Sequence, residues 1–307
     1  MDDNKWHSML TEKKKISQII RSEVILSIHT FFKSRKYVLV DPPILHERIA
    51  NKKYEIYLSE LDGQYSLNSS NGLFLSAYAS LYERVYAISP TFRIENETIN
   101  HLVEFRMLEV EAVNMTFDEM VNFIIELIQT VLNELLNSEL VSAYPETKMR
   151  IKKLHKEFKP ELISYNDFMC SVKLSEEKSE LGEIDISEAD YLFSKYLEKP
   201  VIITDYPVSL ASWTAKRKDC KTSYALNLLL PQSYGELCEG CERTTDVNLL
   251  QYKFNCAKIY NLNWYVEAVN DMVGRRCGFG LGIDRLVRWI VGSDSIDETV
   301  FFPRKIN

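Results

Sequence analysis

Hydrophobic positions along this chain switch between two periods. From residue 13 to 34, Ile16, Ile19, Ile20, Val24, Ile25, Ile28 and Phe32 recur every three or four positions, the spacing of an amphipathic helix. KYVLVDPPIL follows as a short strand, ended by Pro42 and Pro43, which cannot continue a ladder. GQYSLNSS and RVYAISPTFRIE read as strands on either side of a short helix, NGLFLSAYASLYE. LVEFRMLEVEAV alternates with period two, and TFDEMVNFIIELIQTVLNELL returns to the helical period, with Thr116 and Glu119 spaced as a capping box. From about 140 to 198 the chain is polar and poorly periodic, and an inserted, mostly helical region is expected there. Strands resume with PVIITDYP, SYALNLLLP and SYGELCEGCERTTD, then a helix around 245–258, and glycine-rich GFGLGIDRLVRWIVG runs into an apolar-periodic helix. With no tandem repeat and no low-complexity linker, the pattern predicts an α+β fold, a mostly antiparallel β-sheet flanked by helices.

Composition narrows the class. The 307 residues, 46% hydrophobic and 26% charged, suit one large globular domain with an insertion. No apolar run approaches the ~20 residues that span a bilayer, and the N-terminus lacks the apolar stretch of a signal peptide. A cytoplasmic protein with no membrane partner is expected. The net charge of −7 gives no global pull toward nucleic acid, and no DNA partner is expected. A basic run (Lys148 to Lys159) precedes an acidic one (Glu176 to Asp190); both read first as solvated faces, with polyanion contact the sharper alternative for the basic run. Six cysteines without a signal peptide do not make a disulfide framework. Cys238-x-x-Cys241, with Cys220 and Cys256 nearby, invites a zinc or redox reading, weakened by the lack of a second pair.

Two stretches carry candidate chemistry. In SPTFRIENETINHLVEFRMLEVE, Arg93 and Glu95 stand two apart, on one face of a strand; a polar excursion with His101 follows, then Glu109 and Glu111 alternate with apolar residues. This is either a half-wet hairpin or a strand-loop-strand that holds an anion. In the closing stretch, Gly278, Gly280 and Gly282 remove Cβ atoms so that a planar ligand can lie against backbone. The helix N-terminus beyond them favours phosphate, and Arg285 can lay a flat guanidinium over a base or on a phosphate. A lone Gly-x-Gly-x-Gly is weak, and its context is not that of a dinucleotide-binding βαβ unit.

Together, FRIE…HLVEF…LEVE and GFGLGIDRL resemble motifs 2 and 3 of the class II aminoacyl-tRNA synthetases, and FFKSRKYVLVDPPIL resembles motif 1 with Pro43 as its proline. VIITDYP, LNLLLPQSYGELCEGCERTTD and WYVEAV…FFPR narrow the resemblance to the aspartyl/asparaginyl branch, asparaginyl most of all. It covers residues 30 to 305 and is weakest across 140–190. The resemblance implies one catalytic domain over 1–307, with the insertion at about 140–198 and no OB-fold anticodon-binding domain. It implies ATP as co-substrate, Mg2+, and attack of an amino-acid carboxylate on the α-phosphate to give an acyl adenylate.

By the same resemblance, Arg93 bridges carboxylate and α-phosphate, Glu95 bonds the adenine amino group or orients the loop, and His101 closes on the outer phosphates. Phe105 lies under adenine with Arg285 above, and Gly280 and Gly282 belong to the same ATP site. Glu236 is the metal-binding glutamate, Glu239 a second carboxylate, and Asn227 stands where the family supplies an acidic residue. Arg243 reads the substrate side chain, with Asn71 in place of a glutamine and Gly278 beside them. Phe74 replaces a lysine and Arg276 a histidine, so Arg276 is assigned the missing positive charge; Glu47 or Glu55 is left for the α-amino group.

Three functions follow. The leading expectation is a ligase that activates an aspartate- or asparagine-like acid and gives it to ammonia or a small amine, similar to archaeal-type asparagine synthetase. The alternatives are an aminoacyl-tRNA ligase that reads only the acceptor stem, and a catalytically reduced binding or regulatory paralogue. A homodimer through motif 1 is expected in each case.

Overall fold

The computed structural model describes residues 10–49, 55–61, 63–94, 100–171, 194–195, 197–257, 259, 261–272 and 274–302. Helix α1 (Glu12–Ser34) opens the chain, with Thr11 accepting the Lys14 N–H as its cap. Strand β1 (Val38–Leu39) follows, then a small hairpin of β2 (Leu45–Glu47) and β3 (Tyr65–Leu67), and helix α2 (Gly72–Tyr82). β4 (Arg84–Phe92) and β5 (Glu104–Val113) form a long antiparallel hairpin, Arg84 opposite Ala112 and Phe92 opposite Glu104. Helix α3 (Phe117–Asn137) begins with the expected capping box: Thr116 accepts the Glu119 N–H, and the Glu119 carboxylate accepts from the Thr116 N–H at 2.7 Å.

The region read as a helical insertion is mixed. It holds α4 (Glu139–Ser142), α5 (Pro145–Glu157) and α6 (Tyr165–Ser171), but also strand β6 (Glu161–Ser164), which pairs in parallel with β7 (Val201–Thr204) at the sheet edge. Four residues are too few for a period to show in sequence, and only tertiary pairing makes them a strand. The acidic run lies outside the described residues. In the basic run, Arg150 is structural, donating to the Ile290 and Trp289 carbonyls at 3.1 and 2.9 Å, while Lys152, Lys153 and Lys156 are exposed.

β8 (Ala225–Leu230), β9 (Gly235–Glu242), α7 (Val247–Ala257), α8 (Asn263–Asp271), β10 (Arg276–Gly282) and α9 (Ile283–Val291) complete the order. The glycine-rich stretch is therefore itself a strand, not a loop before the helix. It pairs antiparallel with β5 on one side and β9 on the other, at the centre of an eight-stranded sheet ordered β1-β4-β5-β10-β9-β8-β7-β6. Among the described residues, only the two edge pairs, β1 with β4 and β6 with β7, are parallel.

Period-two alternation gives the sheet two different faces. Leu108 and Val110 of β5 and Cys277, Phe279 and Leu281 of β10 point into the core. There they meet Ile20, Val24 and Ile28 of α1, Ile124, Leu127 and Ile128 of α3, and Leu286, Val287 and Ile290 of α9. The opposite face carries Met107, Glu109 and Glu111 of β5 and Arg276, Gly278, Gly280 and Gly282 of β10. Helix α2 packs Leu75 and Ala79 on Val85 and Ala87 of β4, so this face is covered at one end and open at the centre. Among the described residues, no helix is long and apolar enough to cross a membrane.

Candidate active site

The open centre of that second face holds a cavity of about 280 Å³. Its walls bring together residues that lie far apart in sequence: Arg93, His101 and Phe105 from the β4–β5 hairpin, Glu236, Glu239 and Arg243 from β9, and Gly278, Gly280, Gly282 and Arg285 from β10 and α9. Glu95 lies outside the described residues. Asn71 and Arg276 do not line the cavity. Both are fully buried beneath it, Asn71 with its side-chain N–H donating to Ser89 Oγ at 2.6 Å.

At one end, Arg93 donates from Nε to the Ser69 carbonyl at 3.0 Å, with its guanidinium 5.6 Å from the centre of the Phe105 ring. Phe105 is backed by Leu102, Ile296 and Val300, a small apolar cluster that stiffens the ring as a platform. Arg285 donates to the Glu236 carbonyl, tying the start of α9 to β9. The neighbouring Asp284 is buried; it accepts from Arg21 at 2.5 Å and from the Arg106 N–H at 2.6 Å, which anchors the helix start under the hairpin.

Glu236 and Glu239 are three residues apart and in a regular strand would face opposite sides. A bulge puts them on the same side: β8 pairs Leu228 with Cys238 and Leu229 with Glu236, leaving Leu237 as an extra residue. Leu237 and Cys238 turn into the core while both carboxylates line the cavity. Asn227 lies opposite Glu239 and donates to Glu236 at 2.8 Å. Two carboxylates on a cavity wall, one oriented by an amide, suit a hard divalent cation that keeps part of its water.

The CxxC pair cannot close on a metal. Cys238 points into the main core and Cys241 to the other face, and burial pushes both thiols above their ordinary range. A buried thiol is a poor thiolate, which removes the basis of the zinc and redox readings.

At the other end, Arg243 forms an ion pair with Glu111 at 3.0 Å and donates to Thr214 Oγ1 at 3.1 Å. Glu111 also accepts from Ser76 Oγ at 3.1 Å. The pair lies directly on the Cα of Gly278, where any Cβ would overlap Glu111 Oε2 and Arg243 Nη2. Gly278 is thus required by the protein's own ion pair; at Gly280 and Gly282 the nearest atoms a Cβ would meet are the tip of Met107 and the Cβ of Arg285, at 3.0 and 3.6 Å. Phe74 is turned out of the cavity and stacks on Trp264, with ring centres 5.6 Å apart.

Sequence reasoning assigned no role to Glu109. It lines the cavity and holds the residues just before α2, accepting from the Asn71 N–H at 2.8 and 2.9 Å and from Ser70 Oγ at 2.6 Å. Of the two carboxylates considered for an α-amino group, Glu55 lines the cavity, nearly buried, beside Tyr57 and Ser69; Glu47 is exposed on β2. Glu109 offered no signal of its own, because a carboxylate alternating with apolar residues reads as the wet face of a strand.

The chain resembles known proteins over nearly all its length. It is 30% identical over 323 residues to an asparagine–tRNA ligase of Lactococcus lactis subsp. cremoris, an alignment covering 99% of this chain and 71% of the relative. Its fold matches the asparaginyl-tRNA synthetase of Pyrococcus horikoshii solved with asparaginyl-adenylate, at 24% identity and a TM-score of 0.87, over 99% of this chain and 71% of that one. The Entamoeba histolytica asparaginyl-tRNA synthetase with asparaginyl-adenylate matches at 19% identity and a TM-score of 0.80, over 97% of this chain and 68% of that one. The family model for tRNA synthetases class II (D, K and N) matches residues 3–306, and the chain belongs to that family.

Proposed function

We propose that this chain binds ATP and an amino acid of the aspartate/asparagine type, joins them as an acyl adenylate, and transfers the acyl group to tRNA. The observation that carries the reading is the single cavity walled by Arg93 and Phe105 at one end and by the Glu111–Arg243 pair at the other. An attacking carboxylate oxygen forms a bond to the α-phosphorus, and the bond to the pyrophosphate oxygen breaks. Most of the barrier is charge repulsion and alignment, which fixed cations relieve without covalent help. Arg93, held by Ser69, supplies positive charge between carboxylate and α-phosphate. Phe105 and Arg285 sandwich the adenine, and Glu55 meets the α-ammonium. Glu236 and Glu239 would hold Mg2+, which when bound neutralises the triphosphate.

Arg243 is already neutralised by Glu111, so the side-chain end offers a directed N–H fork rather than a bare cation. The named relatives are tRNA ligases, which supports reading tRNA, and not ammonia or a small amine, as the acceptor. The test is ATP–pyrophosphate exchange across the amino acids, then charging of total tRNA with the acid that supports exchange. Labelled tRNA is the expected outcome. A labelled product with ammonia and none with tRNA would restore the amine-transfer reading, and no exchange at all would leave a binding paralogue.

A second copy of the chain is the fitting partner for the motif 1 side. Edge strand β1 exposes Val38 and Leu39, and Leu81, 76% exposed, borders an apolar groove with Pro43, Phe74, Ala77, Tyr78 and Trp264. A two-fold contact would bury both features at once. Light scattering is expected to give the mass of a dimer, and Leu39→Asp with Leu81→Lys the mass of a monomer.

A further inference from the structure

Arg276 is fully buried, and none of its three guanidinium nitrogens has a hydrogen-bond partner among the described residues. A buried charge ordinarily keeps a counter-charge, and removing that partner is costly. The carboxylates that flank Arg276 in register are both engaged. Glu111, opposite Gly278, is held by Arg243 and Ser76. Glu242, opposite Cys277, serves Lys216 at 2.5 Å on the other side of the sheet. Glu109 is held at the N-terminus of α2.

Arg276 lies close behind the cavity wall. It shares a sheet face with Gly278 two residues along, a step of about 7 Å, and Gly278 is the bed of the Glu111–Arg243 pair. Tyr265 lines the cavity and is near enough to Arg276 for the two to interact. Burial pushes its hydroxyl up, and the positive charge of Arg276 is the strongest opposing influence. Around Gly278 the protein thus places two guanidiniums, Arg243 and Arg276, with one carboxylate, Glu111, while Glu109, opposite Gly280, is turned to the start of α2. Phe74 brings no further charge, and Cys241 is a neutral thiol.

We propose that this end is built for a side chain that carries a negative charge, so that the chain prefers an aspartate-like acid over asparagine, and that Arg276 sets this preference. The proposal rests on the cavity being an amino-acid site, as argued above. The substrate's side-chain carboxylate completes the charge balance that the protein leaves open, with Arg243 and Tyr265 making the contact and Arg276 acting from behind them. Asparagine offers an amide oxygen to the same donors but no counter-charge.

The test compares aspartate and asparagine in ATP–pyrophosphate exchange for the wild-type protein, Arg276→Met and Arg276→Lys. Wild type is expected to favour aspartate. Arg276→Met should raise the aspartate KM by about tenfold to a hundredfold, leave the ATP KM within about twofold and narrow the aspartate/asparagine ratio; Arg276→Lys should keep the preference. A wild-type preference for asparagine, or a ratio unmoved in Arg276→Met, overturns the proposal and leaves the amino-acid site standing. Exchange with neither acid, while ATP still raises the Tm, refutes the amino-acid site itself. Should Arg276→Met fail to fold, the wild-type ratio and the Tm shifts given by each acid decide the matter.

Discussion

The two ends of the cavity solve the same problem, holding charge near an anion, in different ways. At the nucleotide end, Arg93 and Arg285 are half-buried and held through backbone carbonyls, those of Ser69 and Glu236. Carbonyls orient a guanidinium without cancelling its charge. At the side-chain end, Arg243 is deep and paired with a carboxylate, and Arg276 is buried behind it. Under the proposed function, the first arrangement gives strength toward any triphosphate. The second gives discrimination, because small differences in ligand charge are felt strongly where water is excluded.

Substitutions that act on one end only would sharpen this contrast. The largest effect is expected from Arg93→Ala, which should lower the rate of pyrophosphate exchange about 10²- to 10³-fold with little change in Tm. An equal fall in Tm would mean that the arginine serves the fold instead. Gly278→Ala comes next. Its methyl group must displace Glu111 or Arg243, lowering stability by about 1–3 kcal/mol and raising the amino-acid KM far more than the ATP KM. Equal changes in both constants would break the distinction between the ends.

Phe105→Ala should raise the ATP KM about tenfold and spare the amino-acid KM; isothermal titration with each ligand separates the two. The smallest effect belongs to Thr116→Ala, remote from both ends, which should lower the Tm by about 2 °C with both KM values unchanged. The Thr116 backbone N–H, and secondarily its hydroxyl, hold the Glu119 carboxyl below its ordinary range. A lowered carboxyl contributes stability above the ordinary glutamate value that is lost as pH falls through the lowered one. Thr116→Ala keeps the backbone N–H and loses only the hydroxyl's share, so the Tm gap between the two proteins should narrow in acid without closing.

Where sequence had a period to reveal, it revealed the fold. The β4–β5 hairpin, the α3 capping box and the helical face of α1 were all legible, because alternation and caps are local. Arg93, Phe105, Glu236, Arg243 and Arg285 were legible as a group because each sits at a fixed offset from a motif, and all five line the cavity. The misses share a different cause. β6 was hidden because its strand character comes from β7, and the CxxC pair misled because spacing does not say which face a cysteine takes. Glu236 and Glu239 share a wall only because of a bulge whose signal lies in the pairing with β8. Arg276, expected to supply a missing positive charge at the substrate, is buried behind the cavity and does not line it, since burial depends on what packs over β10.

The short segment before α2 touches both ends at once. The Ser69 carbonyl holds Arg93, the Ser69 hydroxyl reaches Glu55 at 3.5 Å, and Ser70 and the Asn71 N–H clasp Glu109. Three residues thus join the supports of Arg93, Glu55 and Glu109. Under the proposed function, any coupling carried by this segment has the same factor in both directions, as linkage requires. Whatever ATP does to the grip on the amino acid, the amino acid must return to ATP.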